Sequence, residues 1–147
     1  MVTAAGDSLM GQLALRALLQ RAGAGAETRV LADAAQHAYD DLARVSTPLI
    51  GKVAVDALTG RALYLVQQRY PWLTATREAR EWSGPFAQVV FCLEQQAPAV
   101  ATEAAGAILA TLTELLVTFI GQALTARLLH EAWPEAFTDV EPRRHKA

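Results

Sequence analysis

A long apolar stretch near the C-terminus dominates the hydrophobic pattern of this chain. From Ala99 to Trp133 most residues are apolar, and Pro98 and Pro134 flank the stretch. The polar residues that interrupt its second half follow one another at intervals of three or four, as Thr111, Glu114, Thr118, Gln122 and Thr125. Since an α-helix turns once in about 3.6 residues, these positions share one narrow stripe. The pattern predicts one continuous central helix that is apolar over most of its circumference.

Shorter periodic stretches predict helices along the rest of the chain. The first should be capped by Asp7 or Ser8 and end near Arg21. The others are expected over residues 28–45, 48–69, 74–82 and 85–96, with glycine or proline at most of the boundaries. Residues 1–6 and 140–147 show no periodicity, and we expect both tails to be flexible.

Composition indicates the fold class. Alanine accounts for 30 of the 147 residues, leucine is abundant and runs of β-branched residues are scarce, which is typical of closely packed helices. The length suits one domain with its own hydrophobic core. We therefore predict a single all-α domain over residues 1–147, a bundle of about five to six helices.

The chain also contains a possible internal duplication. At an offset of 70 residues the stretch 33–51 matches 103–121, including an Ile-Gly pair at the end of each. After a slip of four residues, 57–63 matches 123–129, with a shared threonine and arginine. The alternative is a chance match between alanine-rich and leucine-rich helices. A true duplication predicts repeat units 33–69 and 103–133 related by a pseudo-twofold axis, with equivalent bends at 48–51 and Gly121 and equivalent places for Arg61 and Arg127.

Charge and cysteine content argue against several classes of partner. The net charge of −2 gives no general attraction to nucleic acid or anionic lipid, so neither is predicted as a partner. The central helix is long enough to cross a bilayer, but Glu114 in its middle disfavours insertion and we predict no membrane span. The single cysteine, Cys92, lies in an apolar run, and the first residues do not resemble a signal peptide. These features predict a cytoplasmic location.

The sequence motifs predict no enzymatic activity, no metal site and no bound cofactor. Residues 6–9 spell Gly-Asp-Ser-Leu, which resembles the first block of the GDSL hydrolases. The downstream Asp-x-x-His of that family is missing, so a helix cap explains the serine better. A di-iron helical bundle needs Glu-x-x-His on two helices, and the three histidines of this chain are not placed in that way.

Two functional hypotheses remain. The first is a non-enzymatic helical interaction or regulatory module that forms a homodimer and has room for a protein partner. It rests on the surplus of apolar helix surface, with Val55 expected to face outward in the interface. The alternative is a small-molecule sensor with an apolar pocket between the third and central helices. Its candidate ligand-binding residues are Arg61, Tyr64, Trp72, Arg127, His130 and Trp133.

Overall fold

The computed structural model describes residues 9–73 and 85–138, and every regular element in these ranges is a helix. The predicted all-α helical bundle is thereby confirmed. The predicted caps at Asp7 or Ser8, the short helix over 74–82 and both tails lie outside the described residues or largely so. The helices in chain order are α1 (Leu9–Ala22), α2 (Thr28–Ile50), α3 (Lys52–Gln67), α4 (Pro85–Leu93), α5 (Pro98–Ile120), α6 (Gln122–Ala132) and α7 (Pro134–Thr138).

Two predicted helix boundaries are wrong. The single central helix is in fact two helices, α5 and α6, because Gly121 adopts a φ of 94° and a ψ of 161° and ends the first of them. The third helix does not start at Pro48, since α2 continues through this proline to Ile50. Pro48 is exposed and lies inside α2, two residues before its end. Because proline has no N–H, the helix lacks the hydrogen bond to the carbonyl of Arg44 at this point.

The two longest helices, α2 and α5, run in the same direction side by side. At their beginnings Thr28 Oγ1 donates a hydrogen bond of 2.9 Å to the carbonyl oxygen of Gln96, two residues before α5. Farther along, Leu42 of α2 and Leu112 of α5 line one common hollow. The C-terminal ends of both helices, Ile50 and Ile120, therefore lie at the same end of the bundle.

Three of the four remaining core helices pack mainly on the long helix of the other half of the chain, and α6 packs about equally on both long helices. After Gly51 the chain reverses direction, and α3 runs back along α5. After Gly121 it reverses again, and α6 runs back along α2. The helices that precede the long ones also pack across the two halves of the chain. Helix α1 packs on α5, and α4 packs on α2. The bundle is thus two interlocked three-helix units, α1–α3 and α4–α6.

The two units share detailed geometry, as the sequence match predicts for a duplication. Helices α2 and α5 are each 23 residues long. The glycines that follow them have nearly the same conformation, with φ and ψ of 92° and 153° at Gly51 and 94° and 161° at Gly121. In the matched segments Thr59 and Thr125 are both buried, and each donates a side-chain hydrogen bond of 2.8 Å to the carbonyl four residues earlier. These local features agree between the two units, and the pseudo-twofold relation itself stays a prediction.

The equivalent bends lead to a stability prediction. At φ near +90° with ψ near 155° only glycine is comfortable, and a Cβ at Gly51 or Gly121 would meet no neighbouring atom. We expect Gly51→Ala and Gly121→Ala each to lower the free energy of unfolding by about 1–3 kcal/mol, from backbone strain alone. Urea denaturation followed by circular dichroism measures both losses.

The control is Gly60→Ala, because this exposed glycine lies inside α3 with open space at its Cβ position. Alanine stabilises a helix interior by roughly 0.5–1 kcal/mol relative to glycine, so the control should shift stability in the opposite direction. A bend variant as stable as the native chain would contradict the assigned backbone conformation.

The core of the bundle lies along α5. Ten of its residues are buried, against α1, α2 and α3 among others. It is also the one helix in the described part of the chain that is long and apolar enough to cross a membrane, and half of its most apolar 18-residue window is buried inside the bundle. Glu114, in the middle of α5, is half-buried.

Candidate interaction surface

The structure does not gather the predicted ligand-binding residues around one pocket. Trp133 is fully buried, and its indole Nε1 donates a hydrogen bond of 2.9 Å to the carbonyl oxygen of Ala38 on α2. Tyr64 is exposed on the outside of α3, where the guanidinium of Arg61 lies 5.7 Å from the centre of its ring. Trp133 is thus a core residue and the other two form a surface pair.

The other three candidates have separate neighbours. Trp72 is half-buried and its ring makes an edge contact with Tyr70, with 5.9 Å between the ring centres. His130 is exposed at the end of α6 beside the ring of Phe137, at 4.7 Å. Arg127 is exposed on α6, and Arg61 is exposed at the matching place on α3, as the sequence match predicts.

The expected orientation of Val55 is wrong. This side chain is 7% exposed and faces from α3 toward α2 and α5, so it cannot contact a partner at the outer surface. The outward valine is Val53, which is 84% exposed in the first turn of α3. The error follows from the helix boundary: α3 begins after Gly51, which fixes the face that each of its first residues presents.

One enclosed hollow lies between α2, α3 and α5. Apolar residues line it together with Ser46, whose buried hydroxyl has no hydrogen-bond partner. Leu112 and Leu116 of α5 line the same hollow. Its volume of about 10 Å³ suits one water molecule at most, which is too small for an organic ligand.

The charged groups with several partners hold helices together. The guanidinium of Arg21 donates hydrogen bonds to Glu135 on α7, to Asp41 on α2 at 2.8 Å and to the carbonyl oxygen of Ala132 at 3.0 Å. Burial acts to raise the pKa of Asp41, but hydrogen bonds from Arg21 and Arg44 outweigh it and leave the pKa below its usual value. This pairing stabilises the fold above the ordinary carboxylate pKa and is lost as the pH falls through the lowered one.

Several of the exposed apolar side chains lie at the end of the bundle where both bends are found. We define the bend end as residues 47–53 and 117–123. Its large apolar side chains include Val53, Phe119 and Leu49, which are 84%, 56% and 47% exposed. Ile50 and Ile120 are half-buried beside them. Large apolar side chains grouped in this way are typical of surfaces that bind a partner.

The positions of the two bends explain why these residues lie at one end. Leu49 and Phe119 occupy matching positions, two residues before the glycine of each bend, and the parallel course of α2 and α5 brings both bends to one end. Sequence comparison paired these two residues but did not indicate that they are exposed. The Ile-Gly pair could have predicted this exposure. A bend at the glycine ends the long helix, so the residue before the isoleucine lies past the helices that pack along it.

Across residues 9–73 and 85–138, no group of three or more histidine, cysteine, aspartate or glutamate side chains is placed to hold a metal ion. Burial raises the pKa of the half-buried Cys92 thiol, which favours its uncharged form.

Comparison of the chain with protein-family models, curated proteins and solved structures found no match.

Proposed function

We propose that this protein is a non-enzymatic α-helical interaction module and that the bend end is its binding surface. One observation carries the proposal: three large apolar side chains, Leu49, Val53 and Phe119, are about half or more exposed at one end of the bundle. Leaving this much apolar surface in water is unfavourable by roughly 25 cal/mol per Å². A partner that covers the bend end recovers that free energy, which is the ordinary driving force of association.

The polar groups of the described residues support a binding role over a catalytic one. The ion pairs of Arg21 connect α1 to α2 and α7. The buried hydroxyls of Tyr39 and Thr59 bond to each other at 2.9 Å and connect α2 to α3. These groups are engaged in holding helices together, and the exposed bend end presents apolar carbon to a partner.

Native mass spectrometry of the protein purified from its own cells tests this proposal. We expect a retained protein partner with the unmodified chain, and its loss from Val53→Glu, because a charge at an apolar interface centre must be desolvated without a partner charge. Phe91→Glu is the matched control, since Phe91 is 60% exposed on α4 near the opposite end of the bundle. Its partner should stay bound.

Two results would count against the proposal. A partner that survives Val53→Glu and is lost with Phe91→Glu would place the binding surface on α4. A retained molecule of small mass, with no protein partner, would favour the sensor hypothesis.

A further inference from the structure

We propose that the C-terminal turns of α2 are a local opening element, which unwinds while the rest of the bundle stays folded. We call residues 46–50 the α2 terminus and residues 116–120 the α5 terminus. The inference goes beyond the proposed function and does not depend on any partner, because it concerns the free chain. Three observations carry it: a proline inside the helix, a buried hydroxyl without a hydrogen-bond partner, and the hollow that this side chain lines.

The proline weakens the backbone of the α2 terminus. Pro48 lies inside α2, where it supplies no N–H to the carbonyl oxygen of Arg44. Proline also disfavours the helical conformation of the residue before it, and Thr47 is helical in α2. The ring restricts the unwound chain as well, but this opposing effect is smaller than the loss within the helix. Unwinding of the α2 terminus therefore costs less than unwinding of an ordinary helix end.

The side-chain packing of the α2 terminus is incomplete too. Ser46 is 2% exposed and its hydroxyl has no hydrogen-bond partner, which is unfavourable for a buried polar group. Its side chain lines the hollow between α2, α3 and α5, so it lacks some of the contacts that hold a buried residue in place. Unwinding gives the hydroxyl access to water and sacrifices few contacts, which lowers the free energy of the open state.

Opening changes the surface that the bundle presents. Ser46 and Ile50 line the hollow from the α2 terminus, and Leu112 and Leu116 line it from α5. When the α2 terminus unwinds, two side chains leave the wall of the hollow and the leucines behind them come into contact with solvent. The α2 terminus is thus a gate over an apolar space in the core.

The α5 terminus is a matched reference inside the same molecule. Both helices are 23 residues long, and the N–H of the glycine after each one donates a hydrogen bond of 2.8 Å to the carbonyl oxygen four residues earlier. Burial also agrees position by position between the two termini. The places of Ser46 and Pro48 are taken in α5 by Leu116 and Thr118, which bring neither a buried hydroxyl nor a missing N–H.

Native-state hydrogen exchange of the full chain, followed by NMR at low urea concentrations, tests the inference. The last two amides of α2 and that of the following glycine should have protection factors at least about tenfold below those of their counterparts in α5, which equals about 1.4 kcal/mol in opening free energy. Their exchange should hardly respond to urea, because local opening exposes little surface. The three compared pairs are Leu49 and Phe119, Ile50 and Ile120, and Gly51 and Gly121.

Pro48→Ala is the main variant, because Pro48 is exposed and alanine restores the N–H without changing the core. It should raise the protection factors of the α2 terminus by about tenfold or more. The double variant Ser46→Ala, Pro48→Ala also removes the unpaired hydroxyl and should make the two termini similar. Thr118→Pro is the reciprocal variant, which should lower the protection of the α5 terminus and leave that of the α2 terminus unchanged.

Three results would overturn the inference. The first is equal protection of the two termini in the unmodified chain. The second is exchange of the α2 terminus that responds to urea as steeply as that of the Leu42 amide in the core, because these amides would then open only by global unfolding. The third is protection that stays low in Pro48→Ala. None of these results bears on the proposed function, which fails separately if native mass spectrometry finds no protein partner.

Discussion

Trp133→Ala should lower the free energy of unfolding by about 3–5 kcal/mol, the usual loss when a buried aromatic side chain is removed. Trp133 is fully buried and its indole N–H bonds to the Ala38 carbonyl of α2, so the change opens a cavity and removes one buried hydrogen bond, while the carbonyl keeps its helical N–H partner. Domains of this kind are stable by about 5–15 kcal/mol in total. Urea denaturation followed by circular dichroism should show a large shift of the midpoint.

Trp133→Phe is the control for this experiment, because it keeps most of the ring and removes the indole donor. We expect a loss of roughly 0.5–1.5 kcal/mol, the net contribution of one hydrogen bond, since the carbonyl keeps its helical partner. If Trp133→Ala cost less than about 1 kcal/mol, the side chain would not be a core residue and its role as a pocket residue would become the better interpretation.

Leu42→Ala and Leu112→Ala should each lower the free energy of unfolding by about 2–5 kcal/mol, and by similar amounts. The two leucines match in the internal alignment, are 1% and 4% exposed, and line one hollow between α2 and α5. Similar losses follow if the pseudo-twofold axis passes between them. The double variant should depart from the sum of the single losses, because neighbouring residues share a cavity.

Leu49→Ala provides the comparison for this pair. Leu49 lies on the same helix as Leu42 but is 47% exposed, and its removal should cost less than about 1 kcal/mol. Losses that differ between Leu42→Ala and Leu112→Ala by more than about 2 kcal/mol would show that the two units do not contribute equally to the core. Urea denaturation measures all three variants under one set of conditions.

The helical class of the fold could be predicted from sequence, and so could the matched bends. Alanine and leucine content with helical spacing predicts the class, and the Ile-Gly pairs predicted equivalent bends at 48–51 and Gly121 on the assumption of a duplication. The break at Gly121 was not predictable from periodicity, because a glycine within an apolar run is compatible with a continuous helix. Its backbone conformation is set by the tertiary packing of α6 against α2.

The candidate surface was harder to predict for a related reason. The start of α3 is apolar on several sides, so the sequence alone could not show that Val53 faces water while Val55 faces the core. Trp133 presents a similar ambiguity, since a pocket and a core both use a buried aromatic ring. Its complete burial within the core and the hydrogen bond from its indole to α2 identify Trp133 as a core residue.

The exchange of helices between the two units has a consequence for folding. Because α1 and α3 pack on α5 while α4 and α6 pack on α2, the unit α1–α3 has to meet α4–α6 before most of its apolar surface is covered. The molecule therefore resembles an obligate dimer whose subunits share one polypeptide. Covalent connection replaces a bimolecular step with an intramolecular one at high effective concentration, so dilution does not separate the units. Contacts between residues distant in sequence must form before either unit is stable, which favours cooperative unfolding and slower folding than in a bundle of local hairpins.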